Sequence, residues 1–154
     1  MHHFKRSLEK GKAGEELFMT LWPGLEKLDG RKSDFKVLAT GELLELKSDS
    51  YDMNATDNCF IELWSNSALL RPGGPMQAMA HGTHIWVYFF PKNKTCLVFR
   101  TNKLVDWLLK HSRDYKRMSI QNAGWYTCGI VVPRKDLEKL YETRIFQTEK
   151  VSNE

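Results

Sequence analysis

Two carboxylates and one amine are spaced along the chain so that folding can bring them together. In segment 43–47 a β-strand would place Leu44 and Leu46 on one face and Glu45 and Lys47 on the other, because successive side chains alternate. Asp34 lies eleven residues before Glu45, near the start of the preceding predicted strand. A hairpin through the turn-like segment 39–41 brings Asp34 opposite the end of the second strand. The spacing therefore predicts two converging carboxylates beside a lysine.

Such a group suits the hydrolysis of phosphodiesters. Carboxylate oxygens are ligands that Mg²⁺ prefers, and a bound Mg²⁺ neutralises phosphate charge and lowers the pKa of water. Lys47 would add a hydrogen-bond donor near the attacking water or the phosphate oxygens. The alternative for Glu45 and Lys47 alone is a surface ion pair, which is frequent on exposed strands.

The elements that must position these residues follow from periodicity and from turn residues. A first helix is predicted over 7–22, strands over 33–38, 43–47 and 59–64, a short helix over 75–81, and a strand over 84–90. The strand 84–90 is apolar nearly throughout, which predicts a central position in the sheet. A strand over 95–100, a helix up to residue 111 and a helix over 133–142 would surround this core. We expect one domain over 1–146 and a polar tail over 147–154.

Asp34 followed by Glu45-Leu46-Lys47 resembles the PD-(D/E)XK signature of restriction-endonuclease-like nucleases, with Ser33 in place of the usual proline. The predicted order over residues 7–90 is similar to that family's αβββαβ core. The resemblance implies an α/β (α+β) fold with a central mixed sheet flanked by helices, as in small phage-type or Holliday-junction-resolvase-like members. It implies an Mg²⁺-dependent endonuclease acting on DNA through Asp34, Glu45 and Lys47, with Mn²⁺ able to substitute. Small relatives commonly pair to cut two strands, so a homodimer is expected.

The resemblance also points to accessory residues. A glutamate on the first helix of such nucleases often assists metal binding. Glu15 borders the buried face of the predicted helix whereas Glu16 points away, so Glu15 is the predicted third metal ligand. Gly14, on the same inward face, suggests a close approach to a strand. Glu62 and Gln77 resemble accessory polar positions beside the metal, although each is equally or better explained as a solvated polar side chain.

Basic residues are candidates for contacts with the phosphate backbone, which requires positive charge but little geometry. The net charge is +4, which makes DNA a plausible partner without proving it. Trp125, in a loop-like stretch, is the one tryptophan of five that we expect to be free to stack on a base. The candidate phosphate contacts are Lys12, Arg31, Lys32, Lys36, Lys116 and Arg117.

Other functions receive less support from the sequence. The three cysteines are scattered, which suggests neither a disulfide framework nor a zinc site, and Gly82 would break the helix needed to align His81 with His84 on zinc. No signal peptide or membrane span is recognisable, so a cytoplasmic protein is expected. The alternatives left open are a non-catalytic nucleic-acid-binding module of the same fold and a structural or partner-binding protein.

Overall fold

The computed structural model describes residues 2–29 and 32–146, with side chains described from residue 10 onward except at 30–31. Within these ranges the chain forms four α-helices, two 3₁₀ helices and ten β-strands, which is a mixed α and β architecture. The helices are α1 (His2–Leu21), α2 (Gly74–Ala80), α3 (Thr101–His111) and α4 (Arg134–Leu137), with 3₁₀ turns at Pro91–Asn93 and Ser112–Asp114. The strands are β1 (Leu25–Lys27), β2 (Phe35–Val37), β3 (Leu43–Ser48), β4 (Asn58–Asn66), β5 (Arg71–Pro72), β6 (Ile85–Phe90), β7 (Thr95–Arg100), β8 (Arg117–Gln121), β9 (Tyr126–Pro133) and β10 (Tyr141–Ile145).

Six strands form a mixed central sheet in the order β1-β2-β3-β6-β7-β10. β3 and β6 run parallel, and the other neighbours are antiparallel. All six residues of β6 are buried, because this strand has neighbours on both edges and packed layers on both faces. The prediction that segment 84–90 is the central strand is therefore confirmed.

The two faces of the central sheet are covered differently. On one face Phe18 of α1 and Trp22, which follows the helix, pack against Leu44, Val87 and Phe89. The opposite face is covered by a second, four-stranded sheet in the order β5-β4-β9-β8, together with α2, α3 and α4. Helices therefore lie on both flanks, as expected, but on the second face they share the covering with a sheet that was not predicted.

The third predicted strand, 59–64, exists as β4 but belongs to this second sheet and not to the central one. Cys59, Ile61 and Leu63 alternate toward the core, where they pack with Ile130 and Val132 of β9. Burying this apolar face against the central sheet, instead of extending its edge, removes more apolar surface from water.

The predicted helix over 133–142 is wrong beyond its first turn. α4 ends at Leu137, and residues 141–145 form β10, which pairs with the edge of β7. The backbone groups of that edge require partners, and β10 supplies them. The strands β1, β5, β8 and β9 were also not predicted. None of the helices in residues 2–29 and 32–146 is both long and apolar enough to cross a membrane.

Candidate active site

The hairpin of β2 and β3 brings Asp34 beside Glu45, as the sequence predicts. Phe35 pairs with Leu44 across the hairpin, so Asp34 lies next to Glu45 at the following register position. The Asp34 amide donates to the Leu44 carbonyl (3.1 Å), and Asp34 Oδ2 accepts a hydrogen bond from the Leu46 amide (2.8 Å). The aspartate is therefore held at both its backbone and its side chain.

Alternation along β3 separates the apolar and charged side chains. Leu44 and Leu46 contact the cluster under α1, whereas Glu45 and Lys47 line a cleft on the other side. Their neighbours on the parallel strand β6 are Trp86 and Tyr88. The predicted division of β3 into two faces is confirmed.

The first helix adds a third carboxylate to the site. Glu15 is half-buried and Glu16 is exposed, so the predicted register of the helix is confirmed. Gly14 is buried against β3, where a Cβ atom would lie 2.9 Å from Ser48 Cβ, and this close approach confirms the inference drawn from the glycine. Glu15 Oε2 lies 3.6 Å from Lys27 Nζ on β1, an ion pair that the sequence did not reveal because β1 was not predicted.

Asp34 is the centre of the acidic cluster. Its carboxylate raises the pKa of both Glu45 and Glu15. Burial raises the pKa of Glu45 far above its ordinary value, and the charges of Asp34 and Glu15 raise it further. Burial and Asp34 also raise the pKa of Glu15, although Lys27 opposes this shift. The described surroundings of Glu45 thus favour either a bound proton or a nearby cation.

The donor set fits a hard divalent cation. Mg²⁺ commonly takes one or two carboxylates and completes its shell with water and phosphate oxygens, and Asp34 and Glu45 offer such a pair with Glu15 adjacent. Within 2–29 and 32–146 no group of three Asp, Glu, His or Cys side chains is arranged to hold a metal ion, so the cation would be held by the pair with Glu15 beside it. An open pair of carboxylates is the arrangement that leaves coordination positions for a substrate.

Four further predicted residues line the cleft that contains Glu45. This cleft has a volume of about 200 Å³ and includes Lys47, Glu62, Gln77 and Lys32 in its walls. Elements distant in sequence therefore converge on one surface: the β3 end, β4, the α2 start and the chain before β2. His81 also lines it and was expected only as a weak zinc candidate.

Glu62 has a structural role that the sequence did not reveal. Its Oε2 accepts a hydrogen bond from the Gly74 amide (3.0 Å) at the start of α2. A Cβ on Gly73 would lie 2.7 Å from the Ser65 backbone nitrogen and 2.8 Å from Glu62 Cδ, so glycine is required where the chain enters α2. Burial raises the pKa of Glu62, while Lys47 and the Gly74 amide lower it. The charge of Lys47 thus acts on Glu62.

A second cleft, of about 600 Å³, lies on the other side of the β3 end and contains Glu15 and Lys47. Lys10 and Lys92 also line it, and neither was predicted. Lys10 precedes Gly14 by four residues and therefore shares its helix face, so the helical period was a usable signal. Lys92 arrives from the turn after β6, and nothing local in the sequence indicates this placement. β3 thus ends between two clefts with lysines in both walls.

The remaining predicted phosphate contacts are not gathered at this site. Lys12, Lys36, Lys116 and Arg117 are exposed, and none of them lines the two clefts at the end of β3. Arg31 lies outside the described residues.

The His84 side chain has a structural role in the fold. Its Nδ1 accepts a hydrogen bond from the Leu43 amide (3.0 Å), and Gly82, with φ of 81°, separates it from the helix that ends before His81.

The expectation that Trp125 lies outside the core is confirmed, because this residue is 43% exposed at the β8–β9 turn. Cys59, Cys96 and Cys128 are buried as free thiols.

No known protein-family model matches this chain, and no curated protein sequence matches it significantly. The functional interpretation of the cluster formed by Asp34, Glu45 and Glu15 therefore rests on its geometry and chemistry.

Proposed function

We propose that this protein is an Mg²⁺-dependent nuclease that hydrolyses DNA phosphodiester bonds, with restriction-endonuclease-like chemistry of the PD-(D/E)XK type. The observation that carries the proposal is the mutual influence of the Asp34, Glu45 and Glu15 carboxylates, together with a cleft that Glu45 and Lys47 both line. Three carboxylates in a partly desolvated place destabilise the folded protein unless a cation or a proton compensates them. Sites of this kind are more often functional than structural.

Asp34 and Glu45 are the residues that would hold Mg²⁺, and Glu15 would support them from α1. When bound, Mg²⁺ supplies charge neutralisation at the phosphate and a lowered pKa for water. The hydrogen bond from the Leu46 amide fixes the direction of the Asp34 carboxylate. A rigidly held ligand loses little entropy on binding, which favours a preorganised site.

Lys47 is positioned to act on the phosphate. It lies two residues beyond Glu45 on the same face of β3 and borders both clefts. An ammonium group there donates to a phosphate oxygen whose charge increases in the transition state. Glu62 lines the same cleft, and the charge of Lys47 lowers its pKa. Lys32, in the same cleft wall, offers a further phosphate contact.

The order of elements supports a restriction-endonuclease-like fold. α1, β2, β3, β4, α2 and β6 follow one another as in an αβββαβ core, with β1 and β5 as short additions. The departure is β4, which lies in the second sheet. We propose that the enzyme is an endonuclease that acts in the cytoplasm, and that two copies pair to cut two strands.

Isothermal titration with Mg²⁺ and Mn²⁺, paired with cleavage assays on branched, nicked, blunt and single-stranded DNA, tests the proposal. We expect metal binding that is lost in Glu45→Gln, together with metal-dependent cleavage of at least one substrate. DNA binding without metal binding would instead identify a non-catalytic nucleic-acid-binding module. Absence of both, with no dependence of DNA affinity on salt, would favour a partner-binding protein.

A further inference from the structure

The hairpin of β8 and β9 carries an unusual group of exposed apolar side chains. Met118 and Ile120 share one face of β8 and are 44% and 45% exposed, and Trp125 at the hairpin turn is 43% exposed. Tyr126, 50% exposed, pairs with Gln121 and therefore lies on the opposite face of the hairpin. Leu69 and Leu70, 61% and 67% exposed, lie in the loop that the hydrogen bond from the Ser67 amide to the Tyr126 carbonyl (2.9 Å) joins to the hairpin. We call Met118, Ile120 and Trp125 the hairpin patch. Exposed apolar side chains grouped in this way on a small protein mark an interaction site.

The hairpin is built to hold its turn in one shape. The Asn122 amide donates to the Trp125 carbonyl (2.8 Å), and Asn122 Nδ2 donates to Thr127 Oγ1 (2.8 Å). Thr127 Oγ1 in turn donates to the Ser65 carbonyl (3.1 Å) on β4. Trp125 is therefore presented by a braced turn, which lowers the entropy lost when its ring contacts a ligand.

The charged residues of the hairpin segment 115–135 are all basic, namely Lys116, Arg117, Arg134 and Lys135, and Asp114 and Asp136 border the segment. Arg134 is occupied by the carbonyls of Met53 and Thr56, which leaves Lys116 and Arg117 exposed at the start of β8. A polyanion complements these exposed basic side chains.

The register of the second sheet relates the patch to the candidate active site. Glu62 of the active-site cleft pairs with Gly129, and Gly129 pairs with Met118. Phe60 covers Gly129 on this face, where a Cβ atom would lie 2.7 Å from Phe60 Cε2. One strand spacing and four residues along β9 separate Glu62 from Trp125, a distance of about 14 Å. One nucleic-acid strand can therefore reach both places.

We propose that the hairpin patch binds unpaired nucleotides of the substrate strand, with Trp125 stacking on a base and with Lys116 and Arg117 contacting phosphates. This inference rests on the proposed nuclease function and narrows its substrate to DNA with a single-stranded part. Unpaired bases expose the ring faces that aromatic side chains bind, and this stacking tolerates any base sequence. Bases inside a duplex are stacked on one another, so their ring faces cannot contact the apolar side chains of the patch, and we expect these side chains to add little to duplex affinity.

The test is binding of a labelled oligothymidine and of a blunt duplex of equal length, measured by fluorescence anisotropy in EDTA so that no strand is cut. Trp125→Ala should weaken oligothymidine binding by about 5- to 150-fold, the value of one stacking contact, and should change duplex binding little. Trp125→Phe should retain most of the affinity. Leu109→Ala, which removes an exposed apolar side chain on α3 (71% exposed), is the matched control and should bind as the unchanged protein does.

Lys116→Ala combined with Arg117→Ala should lower the slope of log affinity against log salt by about 1–2. Lys139→Ala, an exposed lysine before β10, is the control and should leave the slope unchanged.

The inference is wrong if Trp125→Ala binds oligothymidine normally, or if it weakens duplex and single strand equally. It is also wrong if Trp125→Ala converts a dimer into a monomer in size-exclusion chromatography with light scattering, because the patch is then covered by a second copy. If Trp125→Ala binds normally while metal-dependent cleavage persists, only this inference fails. If it loses oligothymidine while no metal-dependent cleavage exists, the nuclease proposal fails and the binding surface remains.

Discussion

Replacing Glu45 with glutamine should stabilise the metal-free protein while abolishing its metal binding. Burial, Asp34 and Glu15 all raise the pKa of Glu45, so its ionised form is destabilised in the folded state relative to the unfolded chain. A site that costs stability in the absence of its ligand is expected where function, and not folding, determines the residue. Glutamine keeps the shape of the side chain and removes the charge.

The pH dependence follows from the direction of this shift. Because the folded protein holds the Glu45 proton more tightly than the unfolded chain, its contribution to stability is complete below the ordinary glutamate pKa. That contribution is lost as the pH rises toward the raised folded value. If the folded state keeps one proton that the unfolded chain loses, the free energy of unfolding changes by about 3 kcal/mol over two pH units. Since the acidic cluster shares protons and the cleft admits water, we expect about 1–2 kcal/mol between pH ~5.5 and ~7.5.

Denaturant unfolding in EDTA at these two pH values is the appropriate assay. Between them, the free energy of unfolding of Glu45→Gln should rise by this amount relative to that of the unchanged protein. Glu16→Gln, an exposed position on α1, is the control and should follow the unchanged protein at both pH values. Mg²⁺ should stabilise the unchanged protein and not Glu45→Gln, because only a ligand that binds the folded state raises stability. Parallel pH curves for Glu45→Gln and the unchanged protein would refute the claim that this carboxylate is desolvated.

The other predictions concern the remaining members of the site. Asp34→Asn should fold normally and cleave at least about 100-fold more slowly. Asp34→Ala should also lose about 1–3 kcal/mol of stability, because it leaves the Leu46 amide without its acceptor. Circular dichroism and single-turnover cleavage check both variants, and normal cleavage by Asp34→Asn would remove this residue from the site. Lys47→Ala should bind Mg²⁺ and DNA but show a lower kcat, since its proposed role lies in the transition state; a normal kcat excludes that role. Glu15→Gln should raise the Mg²⁺ concentration for half-maximal activity about 10-fold, while Glu16→Gln should not; a larger effect of Glu16→Gln would contradict the placement of the third carboxylate.

Local periodicity predicted the parts of the site that lie within single elements. The alternation along segment 43–47 assigned Glu45 and Lys47 to one face, and the helical period distinguished Glu15 from Glu16. The continuous apolar run over 84–90 indicated a strand buried on both faces, and the structure has it there. These properties are set by the geometry of a helix or a strand, so neighbouring residues are sufficient to reveal them.

Pairing between strands distant in sequence decided the rest. The alternating residues of β8 carry a strand signal, Met118 and Ile120, but nothing local indicates that β9 joins β8 to β4 in a second sheet. The same holds for β10, whose segment was predicted as helix and which pairs with the edge of β7. Edge pairing depends on which backbone groups the rest of the fold leaves unsatisfied, and this is a property of the whole structure.

The chemistry of the site divides in the same way. The residue types and spacing of Asp34, Glu45 and Lys47 were sufficient to predict the converging carboxylates. Only the tertiary structure shows that Asp34 raises the pKa of both Glu45 and Glu15 and that Lys47 lowers the pKa of Glu62. It also shows that α2 begins against the Glu62 carboxylate. The identity of a charged residue is written in the sequence, whereas its pKa and its partner depend on burial and on charges that arrive from other elements.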